Sequence, residues 1–303
     1  ESLKSNTSGV WSVAIGEGSL SSNTTGFENV AIGYQALLLN VSGINNVAIG
    51  AFACSNTTSI SNTVAIGRGS LSNVQANNNI GVGTSTLTSN TIGDGNIAVG
   101  SDSLRYNISG SGNVGVGHGT FLTNVTGSNN IGIGTYALKD NTASNNTGIG
   151  AFVLYSNTTG YRTSAHGYSS LHDNTTGIQN TAVGALSLYY GINGDNNVAI
   201  GDSSLYHNYH GSNNTCIGYG SGSEIRRGNN NVIIGGYLGF EDMSDNIVLS
   251  DGAGNIKLGY DSTSSIWTAT GDLEVAGKVI TSHLQSDTSQ LLLTVNGTND
   301  ILT

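Results

Sequence analysis

Side chains able to do acid, base, nucleophile or metal chemistry are sparse in this sequence and do not converge. Its 303 residues include six His, two Cys, nine Lys and Arg, and 19 Asp and Glu, whereas an enzyme needs such groups gathered in one cleft. His118, His166, His172 and His283 stand singly, and only His207 and His210 have a ligand-like spacing. Two solvated turn residues would read the same way. The glycine-rich runs lack the Lys-Ser/Thr ending of a phosphate loop, and the Gly-Gly-x-Gly-x-Asp calcium repeat is absent. The expectation is a protein that is not an enzyme and has no catalytic residue, metal or cofactor.

One surface feature stands out. Tyr155, Tyr189, Tyr190, Tyr206, His207, Tyr209 and His210 all lie five to nine residues after a recurring glycine, in the C-terminal half of the repeats. Residues in equivalent positions of stacked coils share a face, and aromatic rings on a rigid face can stack on sugar rings while their polar tips hydrogen-bond. Tyr155, Tyr189, Tyr190, Tyr206 and Tyr209 are therefore candidate glycan contacts. The alternative is that Tyr is simply a good surface strand residue.

What positions these residues is the repeat. The anchor glycines are Gly16, Gly33, Gly50, Gly67, Gly83, Gly100, Gly117, Gly134, Gly150, Gly167, Gly184, Gly201, Gly218 and Gly235, spaced by 17 residues with two steps of 16. So short a unit cannot bury a core alone and must stack on its neighbours as a solenoid. Before each anchor, bulky and small residues alternate with the period of a strand. The bulky face, represented by Val47 and Ile49 and joined by Leu37, Leu71, Leu104, Leu138 and Leu205 four residues after their anchors, is expected to fill the coil. The small face comprises Ala14, Ala31, Ala48, Ala65, Ala98, Gly115, Gly132 and Ala199. A solvent-facing column would normally hold Thr, Lys or Glu, so this one is expected to be a subunit interface where another backbone lies close. Asn four before the anchor and Gly ten after it are expected to tolerate positive φ at turns, with Asn side chains bonding along the rod. In both 16-residue steps the turn glycine is missing, which places the deletion in the turn.

With 45 Gly and no Pro, the composition excludes a helical globular domain. A net charge of −10 argues against a nucleic-acid or anionic-membrane partner, and no apolar run has the length of a membrane span. Cys54 and Cys216 lie many coils apart and, at roughly 4.8 Å per coil, cannot pair within one chain. Sequons at Asn23, Asn40, Asn56, Asn107, Asn124, Asn157 and Asn174 arise from the turn column, so glycosylation does not follow from them. Leu3, Asn6 and Gly9 occupy repeat columns whose anchor would precede residue 1, so the chain is expected to be part of a longer protein. Residues 1–239 read as the solenoid, a rod on the order of 65 to 70 Å long. Residues 240–303 read as a small β-rich trimerising region, with a hairpin of 247–249 and 256–258 and strand candidates at 267–269, 273–275, 278–281 and 291–295.

The recurring Asn-Val-Ala-Ile-Gly followed by Ala/Ser-Leu, as at 29–37 and 197–205, resembles the head repeats of trimeric autotransporter adhesins and similar repeats in phage and large-virus tail fibres. The resemblance covers roughly 1–239. The repeat is longer here, and the additional residues, as at 23–26 and 174–177, enlarge the outer loop. Residues 246–257 and 271–286 look like segments that precede a self-cleaving chaperone in tail fibres. The resemblance implies that these 17-residue coils build an all-β parallel β-solenoid (β-roll) and that the chain forms a homotrimeric fibre. It further implies a virion tail or extracellular location, host-surface attachment, and partners comprising other copies, other virion proteins and a host glycan or protein. A bacterial adhesin head is the alternative, and a passive spacer without a ligand is a third.

Overall fold

Each repeat makes one short strand and returns to it entirely through turns. The structure, a computed structural model, describes residues 1–270; the strand candidates at 273–275, 278–281 and 291–295 lie outside the described residues. Strands β1 (Val13–Ile15) to β14 (Val232–Ile234) each span three residues. Each pairs in parallel with its successor, Ala14 against Ala31 and Ala31 against Ala48. The 16-residue steps lie between β4 (Val64–Ile66) and β5 (Ile80–Val82), and between β8 (Ile131–Ile133) and β9 (Thr147–Ile149). Both pairs keep the register. The turns absorb the missing residue, with the Ser61 N–H donating to the Asn77 side chain and the Ser128 N–H to Ser144.

The two strand faces are the reverse of the sequence expectation. Ala31, Ala48, Ala65, Ala98 and Ala199 are fully enclosed inside the coil together with Leu37, Leu71, Leu104, Leu138 and Leu205. Ala14, in the first strand, is partly buried against the same core. Val47 and Ile49 are only half-buried and point outward. The reason is the width of the lumen, which each Leu fills from the side opposite the strand. A Cβ on Gly115 would come within 2.7 Å of Ser103 Oγ, and one on Gly132 within 2.7 Å of Phe121. Phe121, fully buried in the Leu column, fits where the facing strands offer Gly115 and Gly132. Small residues thus mark the lumen, and the close neighbour inferred from them belongs to the same chain.

The Leu column has its own backbone logic. The leucines four residues after an anchor, from Leu20 to Leu205, hold φ between 48° and 53°, the left-handed region that β-branched residues tolerate worst. Ile and Val are absent from this column, although they dominate the strand. The anchor glycine adopts φ +130° at Gly50, where a Cβ would meet the backbone of Gly67 at 2.7 Å. The turn glycine has a different role: at Gly26 its φ is not positive, and a Cβ would overlap the Gly43 carbonyl. Nor is the Asn before the strand left-handed; that conformation falls one residue earlier, at Asn45 (φ 59°).

Both Asn columns are buried ladders. Asn46 takes the Asn29 side-chain oxygen on its own N–H and donates its amide to the Ile60 carbonyl at 2.8 Å. In the second ladder, Asn40 donates to Asn23 and to the Gly43 carbonyl, and Asn124 to Asn107 and to the Gly127 carbonyl. The side-chain oxygens of Asn40 and Asn174 have no partner, because Thr57 and Gly191 replace the next Asn. The sequon residues Asn23, Asn40, Asn107, Asn124, Asn157 and Asn174 are fully buried in this ladder, while Asn56 is exposed. Cys54 and Cys216 are free and buried, and burial pushes the Cys216 thiol up to about 12.

The stack continues beyond residue 239. Strand β15 (Ile247–Ser250) pairs in parallel with β14, and the chain then reverses into β16 (Ile256–Asp261) and β17 (Ile266–Ala269), both antiparallel. The described coils and this hairpin form one unit, Glu1–Thr270. Asp251 locks the hairpin turn. Its carboxylate accepts from the Asn255 side chain and N–H and from the Ala253 N–H, and lies 3.2 Å from Lys257 Nζ. These contacts, the Asn255 side chain first, hold its pKa well below the usual carboxylate range. A depressed pKa stabilises the turn above the unfolded value of about 3.9 and loses that contribution as pH falls through the folded value. The Ala253 and Asn255 amide resonances are expected to stay fixed from pH 7 through the ordinary carboxylate range of about 4 and to move only well below it. In Asp251→Asn that acid transition should be absent.

Candidate functional site

Parallel coils in register place equivalent side chains directly above one another, and an aromatic residue in one column of successive coils therefore stacks. The column five residues after the anchor runs Lys139, Tyr155, His172, Tyr189, Tyr206, Ser223. Tyr155 and His172 stack with centroids 5.0 Å apart and planes 2° from parallel, His172 and Tyr189 at 4.9 Å and 10°, and Tyr189 and Tyr206 at 5.5 Å and 20°. The next column adds Tyr190 stacked on His207, 5.8 Å apart at 7°. The two columns meet edge to face, as in the 84° pair Tyr189 and Tyr190 and the 86° pair Tyr206 and His207. Tyr209 leans on Tyr190 and His207 at tilts of 42° and 46°.

All five candidate tyrosines thus join one half-buried cluster, with His172 as a rung that sequence reasoning left out. The signal was its column, shared with Tyr155 and Tyr189. His172 Nδ1 lies 2.6 Å from the Asp173 carboxylate. Burial first, then the Asp173 charge and Tyr190, raises the Tyr189 pKa, and burial with Tyr190 raises that of Tyr206, so both phenols are neutral at pH 7. His207 and His210 do not converge as ligands: the former faces the Ser223 carbonyl and the latter Asn193. Among the described residues no three His, Cys, Asp or Glu side chains form a metal-binding group.

Stacking decides what the ladder offers. Ring faces inside it are consumed by neighbouring rings, so sugars cannot lie on Tyr189, and Tyr155 is covered on its other face by Lys139 Nζ, 4.6 Å from the centroid. Burial works against that ammonium, but the Asp140 and Tyr155 contacts outweigh it and raise its pKa. At the far end the column drops to Ser223, so no ring stacks on the outer face of Tyr206, which lines a cleft of about 410 Å³.

No family model, no curated protein and no solved structure matches this chain.

A second feature runs the length of the rod. The outward strand residues form an apolar stripe in which Ile15, Ile66, Val116, Ile149, Ile200 and Ile234 are 59, 37, 37, 41, 38 and 44% exposed. The parallel register stacks them in line. His166 occupies this stripe between Ile149 and Val183, exposed and outside the coil interior, where the sequence reading had put its column.

Proposed function

We propose that the chain is the shaft of a homotrimeric fibre of a phage or virus tail, in which three parallel copies meet along the Val/Ile stripe and which contributes to host-surface attachment. The observation that carries this reading is the stripe. Contiguous exposed apolar surface marks an interaction site. A surface that repeats once per coil is matched best by a partner with the same rise, and further copies of this chain in parallel have it. Stiffness comes from the unbroken register and the two Asn ladders, and reach from the number of coils. Three copies would present three aromatic ladders at one height, so that weak contacts with surface glycans combine into avidity.

The assembled chain is expected to bind intact cells or arrayed cell-envelope glycans, and to lose that binding when Tyr190, Tyr206 and Tyr209 are together changed to Ala. Absence of binding to every surface tested would remove the attachment role and leave a spacer.

A further inference from the structure

Ladder ends differ from ladder interiors because only an end has a free ring face. The N-terminal end of the Tyr155 column is closed by Lys139, and its C-terminal end opens at Tyr206 into the cleft that also involves His207, Tyr219, Ser223, Glu224 and Leu238. Its volume of about 410 Å³ falls within the roughly 300–1,000 Å³ of small-molecule sites.

The polar groups around that free face have defined roles. His207 Nδ1 lies 3.0 Å from the Ser223 carbonyl oxygen. A carbonyl only accepts, so Nδ1 carries the proton, and in the neutral ring Nε2 is left as an acceptor. Glu224, 46% exposed and 3.8 Å from that imidazole, adds a carboxylate able to accept two hydroxyl hydrogens. Tyr219 and Leu238, 74% and 50% exposed, supply apolar walls. An aromatic platform flanked by a carboxylate and an imidazole nitrogen suits a ligand with one C–H face and a rim of hydroxyls.

The geometry points to this ladder-end cleft as a binding subsite for a neutral hexopyranose, its C–H face on Tyr206 and its hydroxyls donating to Glu224 and hydrogen-bonded with His207 Nε2. The assignment rests on the attachment reading and places the sugar at one end of the ladder. Glu224 and the chain's net charge of −10 disfavour sialic and uronic acids.

The test is saturation-transfer NMR of the full chain with methyl β-galactopyranoside, methyl β-glucopyranoside and N-acetylneuraminic acid. Ser223→Tyr adds one more rung, covering Tyr206 and filling the cleft while leaving Tyr206, His207 and Glu224 in place. Tyr106→Ala, on a distant coil, is the control. Transfer to ring protons of a neutral pyranoside is expected with the unaltered chain and Tyr106→Ala, and is lost in Ser223→Tyr with circular dichroism unchanged. The cleft is excluded if no neutral pyranoside shows transfer, if the acidic sugar alone does, or if Ser223→Tyr binds as well as the unaltered chain. Cell binding by the same proteins separates the two ideas. Binding that survives Ser223→Tyr keeps attachment and removes the cleft, whereas pyranoside transfer without cell binding keeps the cleft and removes attachment.

Discussion

Ala98→Leu is expected to unfold the middle of the rod, whereas Val99→Leu, one residue along the same strand, leaves it folded. Ala98 is fully enclosed, and its neighbours in register are Gly81 and Gly115. Even a methyl at Gly81 would lie 2.6 Å from both Ser70 Oγ and Thr86 Oγ1, and one at Gly115 2.7 Å from Ser103 Oγ. Three further carbons at 98 have nowhere to go except by parting adjacent coils. Overpacking costs about 1–3 kcal/mol where a core can adjust. Here it is expected at about 3 kcal/mol or more, since each coil depends on its neighbours. Val99 faces outward, and Leu there should cost less than about 1.5 kcal/mol. Urea denaturation followed by circular dichroism separates the two, and equal midpoints would mean that the lumen has been misassigned.

The second large effect concerns assembly. Ile149 and Ile200 lie on the outer stripe, 41% and 38% exposed, so a Lys at either can keep its ammonium in water in a lone chain, and the coil itself should tolerate both changes. In the proposed trimer the same positions are dry and meet their own copies. Each uncompensated buried charge then costs about 3–5 kcal/mol, and Ile149→Lys with Ile200→Lys brings six like charges to one axis. The double variant is expected to retain its circular dichroism and lose its assembly.

Much of this fold was legible because a solenoid writes its structure in columns. The anchor glycine, the Asn ladders and the turn position of both deletions follow from residues 17 apart, and the hairpin followed from Asp251-Gly252 between apolar runs. The inward face was not legible from alternation, because a period of two gives the pattern and not its sign. The usual preference for bulky residues inside fails when a coil has one three-residue strand and a lumen that a single Leu fills. A sign was nevertheless present: the column of Leu71 and Leu138 excludes Ile and Val, while that of Ile49 and Val99 consists of little else. One column needs a left-handed backbone and the other an extended strand, and β-branching sorts them. The aromatic face was visible as a group of tyrosines. Its stacking, its closure by Lys139 and its opening at Ser223 appear only when the column is followed through His172. Sugar stacking along the tyrosines gave way for the same reason, since interior rings occupy one another's faces.

The most direct measurement is the solution mass of the unaltered chain and of the Ile149→Lys, Ile200→Lys variant, taken side by side by light scattering coupled to size exclusion. The expected result is three chain masses for the first and one for the second. A monomeric unaltered chain, or a variant that keeps three chain masses, would contradict assembly through the Val/Ile stripe.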